Sequence, residues 1–219
     1  MRNQLCKLAL KIACATWALA LIPFGAHAQS PASGGAMEVD YYGGTTFNLQ
    51  GARAIIAVPG ATADSGQRKV LPTAGTGLGV WFTKALGLHF DYSYIDAGKA
   101  SASVGSNSAQ VQGYAMNFHS GLQLQYPAHR IRPFVNLGGG VFHQSLSSSL
   151  NLEGSPTNVK AASNLASLDY GGGVRIFLTR HWGLKPSLDG YNVFSRNGVG
   201  GRYWRASLGV FWQRGGEKH

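Results

Sequence analysis

The sequence predicts an all-β protein: an eight-stranded, antiparallel, up-and-down transmembrane β-barrel. Three observations carry that expectation. Eight segments alternate apolar and polar residues with a period of two, the side-chain period of a strand with two unlike faces. The connections between them alternate between short turns and long polar stretches, as in a meander whose two ends meet different environments. Aromatic residues gather near the segment ends, where amphipathic rings sit at a bilayer interface. Composition agrees, since only 13% of the 219 residues are charged and 44% are hydrophobic, too apolar for a disordered chain. Helical period is absent, which excludes a coiled coil, and past the first 28 residues no run of 18 apolar residues offers a membrane-spanning helix.

Residues 1–28 read as a secretory signal. Arg2, Lys7 and Lys11 supply a positive start, Ile12 to Ile22 is apolar apart from Thr16, and Ala26-His27-Ala28 is a small-x-small cleavage pattern. The apolar run falls short of the roughly 20 residues that cross a bilayer. Both cysteines, Cys6 and Cys14, lie in this segment, and Lys11 three residues before Cys14 spoils a lipoprotein signal. The mature chain therefore has no thiol for a disulfide, a zinc site or a nucleophile. Removing Arg2, Lys7 and Lys11 takes the basic residues from 19 to 16 against 9 acidic ones, a net charge of +7. That excess is scattered, which suits anionic lipid headgroups better than nucleic acid.

Residues 29–37 form a short segment ahead of the barrel, the barrel takes 38–213, and 214–219 are a tail. The strands are expected near Glu38 to Gln50, Gly75 to Phe82, Leu86 to Ala97, Gln110 to Tyr126, Ile131 to Ser147, Leu165 to Leu178, Gly183 to Phe194 and Tyr203 to Gln213. The third shows the pattern best: Leu86, Leu88, Phe90, Tyr92 and Tyr94 share one face, while Gly87, His89, Asp91 and Ser93 share the other. Short turns are expected at Thr83 to Ala85, Pro127 to Arg130 and Thr179 to Trp182. Long loops are expected at Gly51 to Ala74, Gly98 to Ala109, Ser148 to Asn164 and Ser195 to Arg202. An even strand count brings both termini to the short-turn end, and segments of about ten residues match a tilted membrane strand.

Alternation alone leaves open which face looks out, because a small soluble barrel turns its apolar face inward. Three features favour apolar outside. The polar face is rich in glycine and carries both signs of charge, at Asp40, His89, Asp91, Asn117, His119, Gln123, Asn136, Asp169, Arg175, Lys185, Asp189 and Arg205. Trp81, Phe82, Tyr126, Trp182, Trp204 and Trp212 fall near strand ends. The last strand presents Trp204, Ala206, Leu208, Val210 and Trp212 as an uncharged stripe with an aromatic at each end.

These segments, with Pro133-Phe134-Val135-Asn136-Leu137-Gly138-Gly139-Gly140, Asp169-Tyr170-Gly171-Gly172-Gly173-Val174-Arg175 and Trp182-Gly183-Leu184-Lys185-Pro186, resemble the eight-stranded outer-membrane barrel superfamily. That group includes the OmpA transmembrane domain, OmpX and the opacity proteins, and the resemblance covers nearly the whole mature chain. It implies residence in the outer membrane, contact with lipid and lipopolysaccharide, and insertion by the outer-membrane assembly machinery. Family members usually end on an aromatic residue, whereas here seven residues follow Phe211-Trp212. On this resemblance the assembly signal would be read internally.

The expected function is non-catalytic: envelope structure and surface-loop interaction by a monomer, with no cofactor, no metal and no nucleic acid. In the lumen, Asp91, Asp169 and Asp189 are expected to pair with Arg175, Lys185 and Arg205, since eight strands leave an interior just wide enough for side chains. A narrow ion path through the same groups is an alternative. The other alternative is a lipid A modifying hydrolase built on His143 and Ser145, which period two places on one outward face. Such a deacylase also needs a carboxylate to orient the imidazole, and none is expected beside them; Glu153 falls in a loop. Arg53, Arg68, Lys69, Arg196 and Arg202 are the candidate contacts for lipopolysaccharide phosphates. The triplets Gly138 to Gly140 and Gly171 to Gly173 lie within strands, so they make room for large neighbours instead of cradling phosphate.

Overall fold

A computed structural model describes residues 35–52, 55–58, 61–64, 68–104, 107–128, 130–152, 155–195 and 198–215. The segment read as a signal lies outside them. Among the described residues ten strands follow one another: β1 (Ala36–Ala52), β2 (Ile55–Val58), β3 (Ala61–Asp64), β4 (Arg68–Trp81), β5 (Leu86–Val104), β6 (Asn107–Gln125), β7 (Ile131–Leu152), β8 (Ser155–Phe177), β9 (Trp182–Ser195) and β10 (Gly198–Arg214). Eight of them close an antiparallel barrel in the order β1-β10-β9-β8-β7-β6-β5-β4, while β2 and β3 form a separate hairpin against β5 and β6. Closure runs through β1, which pairs with β10 from Met37 opposite Arg214 and with β4 from Ala36 opposite Trp81. No strand edge is left along the paired length, as a bilayer requires.

The side chains sort by parity as period two demands. Glu38, Asp40, Thr46, His89, Asp91, Asn117, His119, Gln123, Asp169, Arg175, Lys185, Asp189 and Arg205 are buried, whereas Phe118, Leu122, Leu124, Val135, Leu137, Leu188, Leu208 and Val210 stand out on the exterior. Polar inside and apolar outside is the pattern of a barrel whose solvent is lipid. Phe82, Tyr126 and Trp182 lie exposed at the short-turn end. Trp81, expected among these interface aromatics, instead points inward and is buried. Its position continues the inward row of Gly77 and Gly79, and it lies over Gly87, where an added Cβ would reach 2.9 Å from the ring. Small residues around Trp81 thus admit the indole to the lumen.

Two of the short turns share one design. In Phe82-Thr83-Lys84-Ala85-Leu86 the Thr83 hydroxyl accepts from the amides of Ala85 at 3.1 Å and Leu86 at 2.9 Å. In Leu178-Thr179-Arg180-His181-Trp182 the Thr179 hydroxyl accepts from His181 at 3.3 Å and Trp182 at 3.0 Å. A threonine side chain closing a turn on amides two and three residues ahead explains why four residues suffice here.

At the other end the expected loops are largely strand. β5 and β6 stay paired to Val104 opposite Asn107, β7 and β8 to Leu152 opposite Ser155, and β9 and β10 to Ser195 opposite Gly198. At about 3.3 Å per residue, the 22 residues of β7 run twice the length that spans a bilayer. The hairpins therefore project beyond the apolar belt. The outward face meets water there, so the lipid-facing alternation ends and on β6 inverts, with Ala109 and Val111 buried and Gln110 and Gln112 exposed, while the backbone ladder continues regardless of side-chain polarity. In β5 the ladder shifts between Asp96 and Gly98. Gly98 adopts φ 78°, a left-handed conformation that favours glycine, and its amide donates to the Asp96 carboxylate at 2.8 Å.

Candidate functional site

The lumen has two parts. Nearest the short turns, Arg175 on β8 forms an ion pair with Glu38 on β1 and donates to the Gln125 side-chain oxygen on β6 at 2.6 Å. Its guanidinium lies 4.2 Å from the Trp81 ring centre and 5.4 Å from that of Phe211. Arg175 thus crosses the barrel between two aromatic faces, an arrangement suited to a planar, weakly hydrated cation. One layer up, the Lys185 ammonium on β9 reaches Asp40 at 2.6 Å and Glu38 at 3.4 Å, and His89 at 3.3 Å.

A third layer centres on Arg205 of β10. It contacts Asp91 on β5 at 2.8 Å and Asp189 on β9 at 2.9 Å, and also donates to the Tyr42 hydroxyl on β1. Tyr42 in turn donates to Asp91 at 2.8 Å. Its reach across the lumen depends on Gly75, where a Cβ would collide with the phenol oxygen. His119 stands 3.6 Å from both Asp91 and Asp169. Asn136 donates to Asp189 at 3.1 Å. The void among these groups is about 20 Å³, space for a single water molecule.

All six residues of the expected charge network lie in the lumen; Arg205 pairs within the expected set, whereas Arg175 and Lys185 find other acids. Arg205 takes Asp91 and Asp189, Arg175 and Lys185 share Glu38 with Asp40 added, and Asp169 faces His119. Glu38 and Tyr42 were absent from the sequence-derived face. The signal was available, because Glu38, Asp40 and Tyr42 follow each other at the two-residue spacing of a strand face. The glycine triplets divide likewise. At Gly173 an added Cβ would meet the Phe134 ring at 2.9 Å but would first strike the Pro186 carbonyl of β9, and at Gly138 and Gly140 it would strike the β6 backbone. Close strand approach is thus required at all three, and room for a side chain only at Gly173.

Above Arg205 the lumen turns apolar. Leu71, Ile95, Phe142 and Val193 form a buried cluster, joined by Ala115, Leu165 and Tyr203. Phe142 and Tyr203 stack with ring centres 5.1 Å apart. Over this cluster lies a cavity of about 390 Å³, bordered by β4, β5, β6, β7, β8 and β10.

The outer face of the projecting strands carries cross-strand rows. Tyr94, Met116, His143 and Asn164 make one row, and Lys99, Gln112, Ser147 and Lys160 another about 13 Å further out along β8. Both lysines are exposed. His143 and Ser145 face outward together, and the His143 Nδ1 pairs with the Asn164 side-chain oxygen at 2.6 Å. An amide therefore stands where a hydrolase relay has its carboxylate. Among the cationic loop candidates, Arg53 and Arg196 lie outside the described residues, as does Glu153. Arg68 and Lys69 open β4, and Arg202 is exposed on β10. Among the described residues no group of three His, Cys, Asp or Glu side chains could hold a metal ion.

Comparison with known proteins places this geometry. OprG, an outer membrane protein from Pseudomonas aeruginosa, superposes with a TM-score of 0.51 at 11% identity, covering 84% of this chain and 98% of that one. Ail, the attachment invasion locus protein of Yersinia pestis, solved with the heparin analogue sucrose octasulfate, superposes at 0.50 with 10% identity, covering 83% and 99%. At these identities the likeness is one of fold. No curated protein sequence matches the chain. The family model for the outer membrane protein beta-barrel domain matches residues 14–212. That span takes in the barrel strands apart from the last two residues of β10, and most of the chain, so the protein belongs to the outer membrane protein beta-barrel domain family.

Proposed function

We propose that the protein is a monomeric, non-catalytic and non-conducting barrel that contributes to envelope structure and meets its partners through the projecting hairpins. The observation that supports this best is the Arg175 layer, where an ion pair and two aromatic faces occupy the cross-section of the barrel. An ion entering from the short-turn end would have to displace a paired, buried guanidinium, at a cost of several kcal/mol. Stepwise current across a planar bilayer is the test: none is expected, and unitary steps would replace this reading with the ion path.

Lipopolysaccharide is the proposed lipid partner, through its phosphates. Lys99 and Lys160 support the reading beside the sequence candidates Arg53, Arg68, Lys69, Arg196 and Arg202, because the two lysines sit outward, beyond the Tyr94 to Asn164 row. Tyr and His in that row suit the headgroup level. Insertion would use the assembly machinery, with Phe211-Trp212 read within the chain after cleavage near Ala28.

The hydrolase reading has its own test. Mass spectrometry of lipopolysaccharide incubated with the folded barrel is expected to show unchanged acylation. Loss of one acyl chain that disappears in Ser145→Ala would instead make His143, Ser145 and Asn164 a catalytic group.

A further inference from the structure

The cavity above Arg205 has no part in that reading. Eight-stranded barrels normally fill their interior with side chains, and close-packed proteins leave few voids larger than a water molecule. Here the lower lumen obeys that rule and the upper lumen does not. The space comes from small residues at neighbouring places on three strands: Ala97 on β5, Gly113 and Ala115 on β6, and Ala161 on β8. Leu71, Ile95 and Phe142 make an apolar floor, buried to 5% exposure or less. At the rim the inward Ala161 and Ser163 are exposed, so the cavity opens to the outside, while the Arg205 layer closes it below.

The lining also states what fits. The polar side chains that face it, Gln144, Ser163 and Tyr203, are all neutral, and among the described residues no charged side chain borders it. An ionic ligand would lose its hydration without gaining a counter-charge. A volume of about 390 Å³ is in the lower part of the range of small-molecule sites. We infer that this cavity is a binding site for a small, neutral, largely apolar molecule bearing a hydrogen-bonding group, entering from the projecting end of the barrel. The apolar body rests on the Phe142 and Tyr203 rings. The polar group pairs with the neutral donors and acceptors of the wall. The site is blind, so the ligand is held and not passed through.

The test uses the mature full chain in lipid nanodiscs, titrated with 1-naphthol and, separately, with its anionic analogue 1-naphthoate. Methyl NMR of Leu71, Ile95 and Ala115 reads the cavity, and methyls of Leu122 and Leu208 read the lipid face. Saturable shifts of the cavity methyls with 1-naphthol are expected, with 1-naphthoate at least about tenfold weaker. Ala161→Phe, on the exposed rim, fills the space and should weaken 1-naphthol by about tenfold or more. Ala115→Leu gives a second filling variant, and heat-modifiable gel mobility checks that each variant folds. Shifts confined to Leu122 and Leu208, unchanged affinity in the folded filling variants, or equal binding of 1-naphthoate would each overturn the inference.

Discussion

The lower and upper halves of the lumen are walled by the same strands, yet they solve the interior in opposite ways. Below, long charged side chains from β1, β5, β8, β9 and β10 meet across the axis at Arg175, Lys185 and Arg205. Above, alanines, a glycine and a few apolar residues leave the axis open. A polar interior is therefore not imposed on a narrow membrane barrel by its closure. It is a local choice, and it coincides with the level where the exterior is most apolar. The lower half gains its rigidity from buried ion pairs, which are costly to break though weak as net stabilisers. The upper half forgoes packing.

The largest effect should come from Arg205. Arg205→Met leaves Asp91 and Asp189 buried without their cation, and breaking one such pair costs about 3–5 kcal/mol. With two carboxylates orphaned, unfolding in urea from detergent micelles should shift by at least that upper figure or the barrel should fail to refold. Replacing Asp91, Asp189 and Arg205 together by Asn, Asn and Met should recover most of the loss. No recovery would mean that Arg205 acts by packing against Tyr42 and Tyr191 and not by charge.

The same truncation in the upper half should cost less. Phe142→Ala removes a ring that is 1% exposed, and such changes in packed cores cost about 3–5 kcal/mol. Because Phe142 already borders a cavity, part of its surface has no partner to lose, and a value nearer about 2–3 kcal/mol is expected. A loss as large as that of Arg205→Met, read from the same urea titration, would erase the contrast between the halves.

What the sequence made legible follows the same physical divide. Where lipid lies on one side and a packed lumen on the other, the environments differ sharply, and period two marked both the strands and their faces. The twelve polar-face residues, Asp40 to Arg205, were readable for this reason. Past the belt the outward face meets water instead of lipid, the apolar-outside contrast vanishes, and Val104, Leu152 and Ser195 are expected in loops though they end strands. Asn164 went unnoticed as a partner for His143 on the same ground. Trp81 was misplaced because aromatic character near a strand end was given more weight than parity, and parity decides direction. The cavity left no hydrophobic signature at all, since it is made by residues that are small.

A gain is expected from filling it. Ala115→Leu places an apolar side chain beside Ile95 and Phe142, and cavity-filling changes commonly add about 0.5–2 kcal/mol. The urea midpoint should rise without a change in slope. A fall would mean that the wall is already fitted to its present shape and cannot accept a branched side chain.

The smallest effect belongs to the outer face. His143→Ala removes one hydrogen bond to Asn164 at a site that is not buried in the lumen, and a net intramolecular hydrogen bond contributes about 0.5–1.5 kcal/mol. At a half-exposed position the loss should lie at or below the bottom of that range, because water can take the place of either partner. The comparison with Arg205 is then between a polar contact that lipid headgroups and water can replace and one that nothing in the lumen can. If His143→Ala destabilises the barrel as strongly as Phe142→Ala, the Tyr94 to Asn164 row is a structural belt that pins the projecting strands to the membrane-spanning ones. The division that matters would then run around the outside of the barrel instead of along its axis.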